Sequence, residues 1–200
     1  MKRVKEIYEM KIAITGGIGS GKSLVGEIIK EKGYPVFSCD EIYNELIKEK
    51  EYIEKLKRLF PITVKGGKID KKALSDTVFS DDAALAKLNQ LAHPMIMERL
   101  HKQMHNVDSQ KVFAEVPLLF EGNYQSEFDK VIVVTRPLSD RIKAVCLRDG
   151  VSEREVENRM AKQYDYDQSL DELIENYIIL KNCGDISALR VAVEECLLTL

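Results

Sequence analysis

The 200-residue chain has no excess of positive charge, no paired cysteines and no long apolar run. With a formal net charge of −3 and an isoelectric point near 5.8, it lacks the basic face of a protein whose main task is holding nucleic acid. Its densest basic run, Lys48, Lys50, Lys55, Lys57 and Arg58, is interrupted by Glu49, Glu51 and Glu54. That is the pattern of a solvated helix face laced with ion pairs. Cys39, Cys146, Cys183 and Cys196 include no Cys-x-x-Cys pair, so neither a disulfide framework nor a zinc ribbon is indicated. His101 and His105 stand at helical spacing, but Lys102 replaces the glutamate of His-Glu-x-x-His. Residues 1–9 are charged without an apolar signal-peptide core and read as an N-terminal extension, and no stretch reaches the ~18 apolar residues of a membrane span. The reading is a cytoplasmic protein with no membrane and no nucleic-acid partner.

What is present is ordinary for one globular domain: 44% apolar and 32% charged residues, the two signs interspersed. Short β-branched runs occur at Met10–Thr15, Pro35–Ser38, Lys111–Val116, Lys130–Thr135 and Tyr177–Leu180, each followed by turn residues and a helical pattern. Near-continuous apolar strands alternating with helices predict an α/β fold on a five-stranded parallel sheet buried on both faces. The domain is read as residues 10–200, with its core in 10–40 and 110–200. Residues 41–109 carry no convincing strand and predict a helical insertion, broken at Lys65-Gly66-Gly67-Lys68 and kinked or split at Pro94, suited to gripping a substrate. Pro137 is placed in the first turn of a helix that Gly150 stops, and Ser152-x-x-Glu155 is a capping box for the next. This Arg-bearing stretch, about 140–168, reads as a lid.

The segment Gly16-Gly17-Ile18-Gly19-Ser20-Gly21-Lys22-Ser23 fits G-x-x-x-x-G-K-[ST] between a strand-like run and a helix with its apolar stripe at Leu24, Val25, Ile28 and Ile29. Small residues let consecutive backbone N–H groups face phosphate oxygens, and the helix N-terminus adds its positive dipole end. Gly17, Gly19, Ser20, Gly21, Lys22, Ser23 and Leu24 are thus candidate ATP contacts, with Lys22 reaching the β- and γ-phosphates and Ser23 a ligand of Mg²⁺. Gly17, Gly19 and Gly21 do not make the G-x-G-x-x-G of a dinucleotide site.

Asp40 follows the second strand, so a parallel sheet brings it to the carboxyl edge that carries the phosphate loop. A carboxylate there orients a hydroxyl toward the γ-phosphate and accepts its proton; the alternative is that it caps the following helix. Glu115, ending the third strand, is a candidate for holding Mg²⁺ through water. Arg141, Arg148, Arg154 and Arg159 populate the lid, where one or two are expected over the phosphates.

Over nearly its whole length the chain resembles the dephospho-CoA kinases. The resemblance lies in Thr15–Ser23 unbroken, Asp40 with Ile42, Leu91-x-His93-Pro94-x-Ile96, Val116–Glu121, Arg148–Gly150, Arg159 with Gln163, and Asn182 with Gly184. It implies ATP-dependent phosphorylation of the ribose 3′-hydroxyl of dephospho-CoA to coenzyme A. Asp40, Lys22 and Arg148 would be catalytic, and Arg148 and Asn182 would join the ATP site. His93, Pro117, Leu118, Leu119 and Glu121 would bind substrate, and the state would be a monomer or weak homo-oligomer. The chain departs from the family pattern at Ser38, where an aspartate is frequent, at Leu24 for threonine, at Ala144 for a lid arginine, and at Lys181 for aspartate.

Two other readings account for less. A kinase for another small acceptor, such as a nucleoside monophosphate, explains the phosphate loop but not His93-Pro94 or Pro117–Glu121. A GTPase-like switch would need Asn-Lys-x-Asp, and an Asp-x-x-Gly where Glu115–Leu118 stands.

Overall fold

The computed structural model describes residues 9–166 and 176–200. Five strands form one parallel sheet, β1 (Met10–Thr15), β2 (Val36–Ser38), β5 (Lys111–Glu115), β6 (Lys130–Thr135) and β7 (Tyr177–Lys181), in the order β2-β5-β1-β6-β7. Central β1 pairs in parallel with β5, from Met10 opposite Lys111 to Ile14 opposite Glu115, and on its other side with β6. Alternation along β1 sends Ile12 and Ile14 to one face and Ala13 and Thr15 to the other. Ile12 and Ile14 are fully buried with Phe113 and Ile132 under Val25, Ile28 and Ile29 of α1 (Lys22–Glu31) and Leu189 and Val193 of α8 (Ile186–Thr199). That packing fixes the loop between β1 and α1 at the sheet's carboxyl edge.

Two compact units are distinguished, one comprising the chain through Phe37 together with Val107–Leu200, the other Ser38–Asn106. The second is mostly helical: α2 (Cys39–Leu46), α3 (Lys50–Leu59), α4 (Lys71–Ser80) and the long α5 (Asp82–His105). Ile96, Leu100 and Met104 of α5 are buried, and α2, α3 and α4 pack against it. Arg99 of α5 donates through both terminal nitrogens to the Glu49 carboxylate, which precedes α3.

Three sequence expectations change here. The glycine break is a hairpin, β3 (Val64–Lys65) with β4 (Lys68–Ile69). Gly66 and Gly67 both have positive φ, 56° and 73°, as a tight two-residue turn requires, and strands of two residues are too short to show alternation in sequence. Pro94 does not split α5, which runs through it; the buried face of that helix outweighs one missing hydrogen bond. Pro137 is the residue before α6 (Leu138–Asp149) rather than in its first turn, while Gly150 closes α6 in the left-handed conformation. The capping box of Ser152 and Glu155 opens α7 (Glu153–Met160). Residues 167 and 168 of the expected lid lie outside the described residues.

Candidate active site

The loop leaves β1 at Thr15 and enters α1 at Lys22. Gly16 has φ 145°, and a Cβ on it would lie 2.2 Å from the Val134 carbonyl oxygen. Gly21 turns the chain into the helix at φ 99°, and a Cβ there would lie 2.4 Å from Asn182 Nδ2. Both positions exclude side chains, through their positive φ and through these approaches from β6 and from the chain beyond β7. Lys22 Nζ donates to the carbonyls of Gly16 (2.8 Å) and Gly17 (3.2 Å), so its charge is held over the loop it shares with the backbone donors. Ser23 Oγ donates to Glu115 Oε1 at 2.8 Å. A hydroxyl and a carboxylate side by side are hard oxygen donors, the set that suits Mg²⁺.

Four side chains from distant parts of the chain brace this loop. Asn182, 4% exposed just beyond β7, donates from Nδ2 to the Ser20 carbonyl at 2.9 Å and accepts at Oδ1 from Gly184 N at 3.0 Å. Arg141 is buried in α6 and donates from Nε to the Ile18 carbonyl at 3.1 Å. Gln163 Oε1 accepts from Ile18 N at 2.8 Å. The Tyr166 and Thr15 hydroxyls hydrogen-bond at 2.9 Å, and burial pushes the Tyr166 phenol pKa up. Arg141 thus braces the loop from α6. Sequence reasoning gave Gln163 no role and passed over Tyr166. No local spacing announces a hydrogen bond between residues 145 or 151 positions apart.

Beside the loop lies a cavity of about 190 Å³ lined by Gly19, Gly21, Lys22, Ser23, Leu24, Arg136, Ala144, Val145 and Arg148. Arg148 also pairs with Asp149 (2.7 Å), which accepts from Arg159 of α7 at 3.0 Å. The Arg148 hydrogen bond, then the charges of Arg148 and Arg159, hold the Asp149 carboxyl below its usual range. Arg154 is exposed.

Of the residues expected to meet the acceptor, Asp40 is the second residue of α2, exposed, and is not its cap. Ser38 takes that role, its hydroxyl accepting from Glu41 N, so the Asp40 carboxylate is not needed to start the helix. His93 is half-buried within α5, and burial lowers its pKa. Pro117 and Leu118 are half-buried in the turn after β5, with Gly122 N donating to the Leu118 carbonyl. Leu119 is 0% exposed, and its carbonyl accepts from Tyr124 N at 2.9 Å. Glu121 Oε1 accepts from Tyr164 N at 2.8 Å, and Phe120 stacks on the Tyr164 ring at 4.5 Å. The segment after α7 therefore ties the phosphate loop, through Gln163 and Tyr166, to the turn carrying Glu121.

Comparison with known proteins points to one family. The family model for dephospho-CoA kinase matches residues 10–187. A dephospho-CoA kinase of Thermus thermophilus is 36% identical over 186 residues, spanning 93% of this chain and 89% of the relative. Among solved structures, TT1252 from Thermus thermophilus gives a TM-score of 0.83 at 35% identity, covering 96% of this chain and 98% of that one. A dephospho-CoA kinase from Campylobacter jejuni gives 0.62 at 26% identity, with 96% and 97% covered.

Proposed function

The chain belongs to the dephospho-CoA kinase family, whose reaction is transfer of the ATP γ-phosphoryl group to the ribose 3′-hydroxyl of dephospho-CoA; on that premise we propose how its own residues divide the work. The observation that carries the proposal is the Ser23–Glu115 pair, at 2.8 Å, at the end of a loop whose lysine is already drawn over it.

The backbone of Gly17–Ser23 and the start of α1 bind the triphosphate, and Lys22 follows the charge onto the β- and γ-oxygens. Ser23 and Glu115 would hold Mg²⁺, which when bound neutralises phosphate charge that builds up during transfer. Asn182 serves the ATP site by fixing the loop, and Arg148 faces the nucleotide from the cavity wall. Asp40 accepts the hydroxyl proton and, more importantly, aims the oxygen, since positioning supplies much of the rate in phosphoryl transfer. His93, Pro117, Leu118 and Glu121 receive dephospho-CoA. The helical unit contains a cavity of about 280 Å³ with largely apolar walls, including Tyr43, Ile47, Leu74, Val78 and Leu88, which supports reading it as substrate-binding.

No described helix is long and apolar enough to cross a membrane. We place the protein in the cytoplasm as a monomer or weak homo-oligomer, which light scattering across protein concentration would check. The mechanistic assignment is tested with Lys22→Ala and Asp40→Asn. The first abolishes turnover, whereas the second binds ATP with unchanged Kd and loses transfer; wild-type turnover in Asp40→Asn would remove its role.

A further inference from the structure

The lining of the cavity beside the phosphate loop combines Gly19, Gly21, Lys22 and Ser23 of the loop with Leu24, Arg136, Ala144, Val145 and Arg148. A nucleoside triphosphate held by its phosphates over the loop must carry its base toward those remaining walls. Their chemistry suits a flat, weakly polar ring: short aliphatic groups and two guanidinium groups.

The two arginines are not in the same condition. Arg148 is hydrogen-bonded by Asp149 through Nε and Nη2. Arg136, the first residue beyond β6, has no carboxylate partner among the described residues, and its Nε is buried without a hydrogen-bond partner. Its guanidinium lies along the chain between β7 and α8, where a Cβ placed on Gly184 would sit 3.8 Å from Nη2. Ala144 contributes only a methyl group to the same lining.

We propose that Arg136 is a nucleotide-positioning residue whose guanidinium packs against the purine face of ATP. A planar, weakly hydrated guanidinium stacks on an aromatic face, which the compact ammonium of lysine reproduces poorly. The role rests on the cavity being the ATP site, as proposed above.

The test compares the wild type with Arg136→Ala, Arg136→Lys and Arg136→Met, the last keeping an apolar stem in case alanine impairs folding. Steady-state KM for ATP and for dephospho-CoA, kcat, Tm, and calorimetric Kd for ATP and for inorganic tripolyphosphate are measured. All three variants should raise the ATP KM and Kd by roughly tenfold. The dephospho-CoA KM, the tripolyphosphate Kd and Tm stay at wild-type values, and kcat at saturation changes little. Wild-type ATP affinity in Arg136→Ala or Arg136→Met, full rescue by lysine, or equal weakening of ATP and tripolyphosphate overturns the proposal. Failure of the wild type to bind ATP is a separate result, which removes the site reading itself.

Discussion

Asn182 lets two backbone groups that meet no strand or helix partner be satisfied at once, accepting from Gly184 N and donating to the Ser20 carbonyl. Truncating it leaves the loop without that anchor. Asn182→Ala should cost about 1–3 kcal/mol of stability, the usual penalty for stranding a buried hydrogen-bonding group. Chemical denaturation measures this cost, and the ATP KM should rise because the loop is less well held. Wild-type values for both would show that the brace is incidental. The phosphate loop itself was readable because its chemistry is local: glycines, a lysine and a serine at fixed spacing. Its braces were not. The bond from Asn182 to Ser20 spans 162 residues, and Arg141 read as one more lid cation until α6 placed it beneath Ile18. The Asp40 alternatives also needed coordinates, since only the structure shows Ser38 capping α2.

At the level of elements, the buried strands and most helices followed from apolar runs and capping residues, because burial and caps are sequence-local causes. The hairpin at Gly66–Gly67 and the unbroken α5 did not. In the first case the strands are too short to show a period, and in the second packing across the helical unit overrides proline. His93 lies in α5 immediately before that proline, and burial lowers its pKa there. The unfolded chain therefore binds a proton at higher pH than the folded one, so stability rises with pH across that interval. This contribution is harmless above the ordinary histidine pKa of roughly 6.5 and grows unfavourable as pH falls through it toward the lower folded value. Urea midpoints measured from about pH 7.5 down to about pH 5.5, roughly one unit either side of that pKa, should fall less in His93→Gln than in the wild type. Parallel pH profiles would contradict the burial argument.

For the molecule as a whole, the parallel sheet and its strand order do the positioning. Central β1 delivers the phosphate loop, and neighbouring β5 delivers Glu115 to Ser23. The unit through Phe37 with Val107–Leu200 thus contains the phosphate loop and Glu115, and Ser38–Asn106 forms a helical unit of its own with Asp40 and His93. Sequence foretold an inserted helical region because a 70-residue gap between strand-like runs, about 41–109, is too long for a plain crossover. The lining of its cavity was beyond reach, since those side chains come from separate helices. The central claim is that the chain phosphorylates one acceptor, dephospho-CoA, with ATP as donor. The most direct measurement is ADP release by the purified protein with MgATP, comparing dephospho-CoA with adenosine, AMP and shikimate and identifying the product by mass. The account predicts release stimulated by dephospho-CoA alone, with coenzyme A formed in equal amount. Stimulation by another acceptor, or hydrolysis indifferent to all of them, would contradict it.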